Sequence, residues 1–384
     1  MREKPLNGRI YRAWVALLLA MIGVGFFSYL RQLSLGLGIT GMGRDVSWGL
    51  YIANFTFLVG VAASAVIVVL PYYLHNLKAF GTITIFGEFL AVAAVTMAIL
   101  FIFVDLGQPA RVFNIVLYPS PQSILFWDMI VLSFYLVLNL IIGWRTLEAE
   151  RQGEVPPTWL KPLILLSIPL AISIHTVTAF IYSGLSARPL WLTALLAPRF
   201  LASAFASGPS LLIILCLIMK RFTRFDAGQE AIQKVALIVT YALSIHLFFF
   251  LVELFTVFYG GIPEHEDHFR HLFGLSGQPL LTVSAWFSLI LAWTAFLVLI
   301  NARVRKAEGA LLVCALLAVI VAVWIEKGLA FVVPGFIPSP LGESAAYSPT
   351  IHEILITKGV WSVGLLIITI LFRIAVSVKE EPPS

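Results

Sequence analysis

Long blocks of apolar residues, separated by short polar connections, dominate this chain of 384 residues. An α-helix needs about 20 mainly apolar residues to cross a bilayer. The strands of a transmembrane barrel are shorter and alternate in polarity, so these blocks exclude a barrel. The pattern predicts ten transmembrane helices, at residues 12–35, 49–72, 82–104, 123–144, 160–184, 200–219, 232–260, 280–300, 310–333 and 352–376.

The spacing of the blocks also predicts how the helices are grouped. Four consecutive spans joined by short connections tend to form a bundle. We therefore expect an all-α polytopic membrane protein with a four-helix bundle at 1–150, a second four-helix bundle at 151–305 and a C-terminal helix pair at 306–384. The first block has no small-residue cleavage site after it, so we expect a retained helix rather than a signal peptide.

Composition supports the membrane assignment and predicts an orientation. Hydrophobic residues make up 60% of the chain and charged residues only 12%, whereas soluble proteins average roughly half apolar and a quarter charged. Lys and Arg concentrate in the loops on the side of the N-terminus, such as Lys220–Arg224, which is typical of cytoplasmic loops. We expect the chain to lie in the cytoplasmic (inner) membrane, with both termini on its inner side. This bias accounts for the formal charge of +5 without a nucleic-acid partner.

The two cysteines, Cys216 and Cys314, lie far apart inside apolar blocks. A disulfide framework takes several paired cysteines, and an iron–sulfur cluster usually takes four cysteine ligands. We therefore expect neither a disulfide framework nor an iron–sulfur cluster in this chain.

Polar residues collect near the predicted outer ends of the first four spans. Charged groups inside a span are costly, so they are functional candidates. Asp128 is the clearest case, because it lies inside the apolar run 123–144. The charged residues outside the spans can instead form interfacial ion pairs and helix caps. The remaining members of the group are Tyr29, Arg44, Asp45, Trp48, Asn54, Asp105, Gln108, Arg111 and Trp127.

Five further titratable residues lie inside the spans and form a candidate proton path: Glu88 near the inner end of the third span, and His175, His246, Glu253 and Glu326 in the later spans. The two histidines can alternatively ligate a haem or bond a buried hydroxyl. Neither lies among the small residues that usually surround a haem ligand, so we expect no haem in this chain.

Two of these carboxylates have ordinary structural alternatives. Glu253 is a potential ion-pair partner of Lys327 or Lys358, and Glu88 of Lys78 or His75.

Two loop segments resemble ligand-binding motifs. Residues 36–41 match the glycine pattern of a dinucleotide site, but no strand precedes them, so we regard the match as accidental. Residues 264–271 are rich in acidic residues and histidine, which fits a metal site or a solvated docking surface. We favour the docking surface and expect no metal.

The segment Asp105-Leu-Gly-Gln-Pro-Ala-Arg111, followed by 119–123 and Trp127, resembles the signature of the NrfD/PsrC (polysulfide reductase membrane-subunit) family. Residues 45–49, which end in Trp48-Gly49, resemble the Trp-Gly pair that precedes the second span in that family. The downstream segments 173–175, 183–191, 197–203 and 208–209 resemble the DsrP-type members, which are ten-span subunits of the DsrMKJOP complexes of sulfate and sulfite reducers.

This resemblance implies a function and a set of partners. Members of the family carry no redox metal and bind menaquinone or another quinone near the outer face of the N-terminal bundle. A ferredoxin-like iron–sulfur subunit docks on that face and exchanges electrons with the quinone. In the DsrMKJO-like setting the other partners are a multihaem cytochrome c, a haem b membrane subunit and its iron–sulfur partner protein, and the process is dissimilatory sulfur metabolism.

A quinone site needs an apolar groove for the tail, polar groups at the head and a titratable group for protons. We expect Asp128 to exchange the proton, and Asn54 and Gln108 to orient the head. The other roles follow from position: Arg111 and Asp105 hold the outer turn with Arg44 and Asp45, Trp48 and Trp127 wall the site, and Tyr29 is a further head contact. The alternative functions are an ion- or proton-translocating or secondary transporter subunit, and a haem b-binding subunit.

Overall fold

The computed structural model describes residues 8–75, 77–274, 279–336 and 346–380. Within them, ten helices are long and apolar enough to cross a membrane, which confirms the predicted ten-span, all-α architecture. Arg2 and Lys4 of the basic N-terminal segment lie outside the described residues. The spans are α1 Gly8–Leu35, α2 Leu50–His75, α3 Thr84–Asp105, α4 Ile124–Gln152, α5 Leu160–Ser183, α6 Leu196–Phe222, α7 Gln229–Gly260, α8 Pro279–Ile300, α9 Ala310–Phe336 and α10 Ile351–Lys379.

Helix α2 is the centre of the molecule. Every residue of its first segment, Leu50–Ala62, is buried, and its main neighbours are α3 and α6. A helix that is apolar on all faces is stable only when other helices surround it. The regular helical hydrogen-bond pattern of this span is interrupted at Ala63 and resumes at Ser64–His75.

Helices α1 and α10, from the two ends of the chain, pack against each other. They touch at Gly25 and Gly359, where a Cβ added to Gly25 would lie 2.7 Å from the Cα of Gly359. Small residues allow such close approach of transmembrane helices. Helix α10 also packs on α3, while α9 packs on α8 and α6. The last two spans, α9 and α10, thus have their main contacts with earlier helices rather than with each other. The division of the chain at residues 150 and 305 stays a prediction.

Helix α9 changes its winding near the end that approaches Phe336. After Ala310–Trp324 it forms a π-helical turn at Ile325–Leu329, with φ −93° and ψ −105° at Gly328. A Cβ added to Gly328 would lie 3.2 Å from the carbonyl oxygen of Ala53 in α2. Single π-helical turns inside α-helices are frequent at functional sites, and this one carries Glu326 and Lys327.

Short helices occupy the connections on the predicted outer side. Residues 264–271, predicted as a solvated docking surface, belong to the helix Pro263–Phe273, which buries His268, Phe269 and Leu272. One face of this segment therefore packs against the spans. The other short outer helices are Leu37–Ile39, Pro109–Phe113, Asn114–Leu117 and Pro189–Trp191.

Candidate functional site

Polar side chains from four spans meet at the outer ends of α1, α2, α3 and α10. We call Tyr29, Gln32, Tyr51, Asp105 and Glu353 the outer polar cluster. Gln32 is buried; its Nε2 donates to the carbonyl of Val104 at 2.6 Å, and its Oε1 accepts from the Tyr51 hydroxyl at 2.8 Å. One amide thus joins α1, α2 and α3.

Glu353 fixes the α10 side of this cluster. Its side chain is fully buried and accepts hydrogen bonds from Gly41 N (2.7 Å), Thr350 N (2.8 Å) and the Tyr347 hydroxyl (2.8 Å). The Tyr347 oxygen in turn accepts from Leu50 N at 2.7 Å. Burial and the neighbouring Glu353 carboxylate raise the pKa of Tyr347, so it stays a hydroxyl donor. Such charge-assisted bonds are about twice as strong as neutral ones.

Two atoms of the outer polar cluster have no hydrogen-bond partner among the described residues. They are the Tyr29 hydroxyl oxygen and Asp105 Oδ1, both buried. Both groups are near enough to Tyr51 to act on it electrostatically. Buried polar atoms are nearly always paired, so each such exception needs a physical reason. A ligand with polar atoms, or ordered water, satisfies this need.

Asp128 lies in α4 and is buried, as predicted. Its Oδ1 lies 2.8 Å from the Thr178 hydroxyl of α5, which donates to it. This carboxylate therefore already has a protein partner, in contrast to Asp105 Oδ1.

Asn54 is fully buried, and its side chain links α2 to two other helices. Its Nδ2 donates to the carbonyl of Leu50 at 2.7 Å, and its Oδ1 accepts from the indole N–H groups of Trp324 (3.0 Å) and Trp361 (2.9 Å). The amide oxygen expected to orient a ligand is thus occupied by α9 and α10.

The two tryptophans predicted to wall one site lie in different surroundings. Trp48 is partly buried and stacks on Trp191, with ring centroids 5.7 Å apart. Trp127 is 47% exposed and donates to the carbonyl of Pro121 at 2.8 Å. Of these two rings, only Trp48 packs inside the helix bundle.

The polar residues of the outer turns are exposed. Gln108 and Arg111 follow α3, and Arg44 and Asp45 precede α2. No ion pair joins any of these four to a described residue. The alternative of interfacial ion pairs therefore finds no support at these positions.

A second group of charges lies between α6, α7 and α9. We call Arg199, His246, Glu253 and Glu326 the buried ion cluster. Arg199 donates to both Glu253 and Glu326, and the second carboxylate oxygen of Glu326 meets His246 Nε2. Three of the five predicted proton-path residues thus meet around Arg199. The expected partners of Glu253, Lys327 and Lys358, are replaced by Arg199.

The two remaining residues of the predicted path lie apart from that cluster. His175 is buried, and neither ring nitrogen has a hydrogen-bond partner among the described residues. Lys327 is close enough to act on His175 electrostatically; its Nζ donates to the carbonyl of Phe200 at 3.3 Å. Glu88 is also buried, with both oxygens unbonded to any described residue, so neither Lys78 nor His75 pairs with it.

One of the two histidines considered as alternative haem ligands is already hydrogen-bonded. His246 Nε2 is hydrogen-bonded to Glu326, so haem ligation through this nitrogen requires that bond to break. A cavity of about 40 Å³ adjoins His246, Glu253 and Ser288, which is room for roughly three water molecules.

Sequence reasoning assigned no role to Glu353 or Arg199. Both residues lie at span boundaries, where a charge is expected to face water. The sequence feature that could have identified Glu353 is its position in the first turn of α10, three residues after Thr350. Arg199 follows Pro198 at the start of α6, one turn inside the helix.

The family model described as "Polysulphide reductase, NrfD" matches residues 38–335. The chain belongs to the polysulphide reductase NrfD family. This confirms the family resemblance read from Asp105–Arg111. The match covers α2 to α9, so Tyr51 and Asp105 lie inside it, whereas Tyr29, Gln32 and Glu353 lie outside.

Curated relatives of this NrfD-family chain belong to redox enzymes. A putative dimethyl sulfoxide reductase membrane subunit of Halobacterium salinarum is 26% identical over 94% of the chain and 90% of its own length. A selenate reductase subunit of Mesobacillus selenatarsenatis is 25% identical over 92% and 90%. The Hdr-like menaquinol oxidoreductase integral membrane subunit of Archaeoglobus fulgidus is 28% identical over 63% and 60%. With ten apolar helices, the chain is a multi-pass membrane protein.

Proposed function

We propose that this NrfD-family chain is the quinone-reactive membrane subunit of a respiratory redox complex. It exchanges electrons between menaquinol and a ferredoxin-like iron–sulfur partner at the outer face of the cytoplasmic membrane. The Archaeoglobus relative is named as a menaquinol oxidoreductase membrane subunit, which supports the choice of quinone. The observation that carries the proposal is the pair of buried polar atoms on Tyr29 and Asp105 that have no hydrogen-bond partner in the described part of the chain.

A quinol head fits this pair chemically. It carries two oxygens on opposite sides of a flat ring, and one hydroxyl donor and one carboxylate acceptor suit these oxygens. Oxidation of a quinol releases two electrons and two protons, so a titratable group must contact an oxygen. The Asp105 carboxylate is such a group, and the Gln32–Tyr51 pair holds its surroundings in place.

This proposal moves the proton-exchanging role from Asp128 to Asp105. Asp128 already accepts from Thr178, whereas Asp105 Oδ1 accepts from no described residue. Trp48 stacks on Trp191, and its role as a wall of the quinone site stays a prediction. Asn54 takes a structural role, because its amide oxygen holds two indoles.

The outer connection after Asp105 supports a partner protein. Its large apolar side chains are exposed: Phe113 by 63%, Leu117 by 66% and Tyr118 by 76%. Exposed apolar patches of this kind mark protein or membrane contacts. We assign this segment to the iron–sulfur subunit, because it directly follows the proposed quinone residue. The multihaem cytochrome c, the haem b subunit and its iron–sulfur partner of a DsrMKJO-like complex in sulfur metabolism belong to the same proposal.

The buried ion cluster favours a second role in proton movement. Charged groups inside a membrane protein commonly mark proton or ion routes, and this one adjoins a cavity large enough for water. His175, His246, Glu253 and Glu326 are the proposed carriers on this route, and Glu88 is its proposed entry on the other side.

The test is a titration of the purified chain with a fluorescent menaquinol analogue, whose hydroxyl groups can donate to the Asp105 carboxylate. Asp105→Asn removes the proposed proton acceptor, and we expect analogue binding to weaken roughly tenfold, the loss of one charged hydrogen bond. Asp128→Asn is the matched control, a buried carboxylate that is already bonded. Weakening in Asp128→Asn alone would return the head to Asp128. Saturable binding that neither variant changes would move it to another site, and no saturable binding by the folded wild type would overturn the quinone function.

A further inference from the structure

An apolar cleft opens between α1, α6 and α10, far from both polar clusters. Its volume is about 400 Å³, and its walls include Trp14 of α1, Ile218 of α6 and Phe372 of α10. Helix α1 packs closely on α10 at Gly25, which lies towards the outer end, whereas the cleft lies towards the end with the basic loops.

The cleft runs along the helices rather than across them. On α6 its lining extends from Leu215 to Thr223, and on α10 from Ile368 to Val376. Each stretch covers eight helical steps, or about 12 Å at 1.5 Å per residue. Its long axis therefore follows the direction of an acyl chain in a bilayer, and its lining is almost wholly apolar.

The mouth of the cleft carries an arginine. The Arg373 guanidinium is exposed and lies 4.1 Å from the centroid of the Tyr11 ring. No carboxylate side chain in the described part of the molecule forms an ion pair with it. One turn deeper, the Trp14 indole donates to Thr369 Oγ1 at 3.1 Å.

The helices that wall the cleft carry mostly basic residues at this end. Neither Gly8–Leu35 nor Leu196–Phe222 contains an acidic residue; α10 contains Glu353 at the opposite end, and Glu380 and Glu381 follow Lys379. Arg9, Arg12 and Arg221 lie at the same end of the helices as Arg373. Basic pockets between transmembrane helices on the cytoplasmic side are suited to anionic lipid headgroups.

We propose that this cleft is a binding site for an anionic phospholipid. One acyl chain lies in the groove between Trp14 and Ile218, and the phosphate group lies at Arg373. The charge of the mouth and the direction of the groove together select this occupant over a neutral lipid. This site is separate from the proposed quinone site, and its test does not depend on quinone binding.

The test measures lipid binding to the full-length chain by native mass spectrometry in detergent. Phosphatidylglycerol and phosphatidylcholine with identical acyl chains are added in turn. We expect the wild type to bind phosphatidylglycerol more tightly, and Arg373→Gln to weaken that binding roughly fivefold, the effect of one arginine near a charged lipid. The matched control is Arg31→Gln, which removes an exposed arginine at the opposite end of α1 and is expected to change nothing.

A second variant tests the groove itself. Ile218→Trp fills the cleft without changing the charge, and we expect it to weaken binding of both lipids. Equal binding of the two lipids by the wild type, or unchanged phosphatidylglycerol binding in both variants, would overturn the proposal. Displacement of bound phosphatidylglycerol by a menaquinone analogue would also overturn it and assign the cleft to a quinone tail.

Discussion

The outer polar cluster contains carboxylates with phenols and an amide, whereas the buried ion cluster pairs carboxylates with an arginine and a histidine. The two clusters also differ in how their polar atoms are hydrogen-bonded. In the buried ion cluster, Arg199 bonds two carboxylates and His246 bonds the second oxygen of Glu326. In the outer polar cluster, Gln32 and Glu353 are hydrogen-bonded, but Tyr29 and Asp105 each keep an atom without a partner among the described residues. In the buried ion cluster, the only buried side-chain atom without a partner among those residues is His246 Nδ1.

This difference separates two uses of polarity inside a membrane protein. A network in which the charged groups are paired with one another holds helices together and rearranges only at a cost. A rigid frame with one free donor and one free acceptor is prepared for a ligand. The comparison therefore assigns ligand binding to the outer polar cluster and packing or proton transfer to the buried ion cluster.

The largest effect is expected from removing the centre of the buried ion cluster. Arg199→Met leaves the carboxylates of Glu253 and Glu326 without their common partner. Breaking a buried pair from one side costs about 3–5 kcal/mol, so we expect the free energy of unfolding in detergent to fall by that amount. Lys220→Gln is the control: its pairs with Asp226 and Glu308 are partly exposed, and their loss costs at most about 1 kcal/mol. Equal losses in the two variants would show that water solvates the cluster.

A somewhat smaller effect distinguishes a structural from a ligand-binding role for Asn54. Asn54→Ala removes the acceptor of two indole N–H groups, and each unsatisfied donor costs about 1–3 kcal/mol. We expect a lower melting temperature, with affinity for a menaquinone analogue unchanged at temperatures where the chain is folded. A normal melting temperature with weakened analogue binding would return Asn54 to the ligand site.

The contact between α1 and α10 gives a test of the frame of the outer polar cluster. Gly25→Ala puts a methyl group 2.7 Å from Gly359 Cα, and overpacking of this kind costs about 1–3 kcal/mol. Because α1 carries Tyr29 and Gln32, we expect weaker menaquinone-analogue binding as well. The control is Gly23→Ala on the same helix, where an added Cβ meets nothing within 4 Å. A Gly25 variant as stable as the Gly23 variant would contradict the close packing of the two helices.

The fold was predictable from the sequence, because each span is a long apolar block and ten blocks became ten helices. The family was predictable from one compact segment, Asp105–Arg111. The contacts of the site were harder to predict, since they depend on which helices are neighbours. The partners of Asn54 come from residues 270 and 307 positions away, and no local pattern encodes such pairs.

Boundary residues were the other source of error. Arg199 and Glu353 lie where a charge is expected to reach water, yet both are mostly buried. Trp127 and Asp128 are adjacent in sequence, and helical geometry turns them to opposite surroundings. The sequence names the residue types of the site, and only the packing of distant spans decides which of them meet.

The smallest effect on stability is expected at Tyr29, whose hydroxyl is one of the groups in the outer polar cluster to which no described residue is hydrogen-bonded. Tyr29→Phe removes a hydroxyl with no partner among the described residues, so the free energy of unfolding should change by no more than about 0.5 kcal/mol. Affinity for the menaquinone analogue should fall roughly three- to tenfold, the effect of one hydrogen bond. Tyr51→Phe is the matched variant, because it leaves Gln32 Oε1 without its donor and should cost about 1–3 kcal/mol of stability. If Tyr29→Phe destabilises the chain as much as Tyr51→Phe and leaves analogue binding intact, the Tyr29 hydroxyl serves the fold, and the quinone head must lie elsewhere.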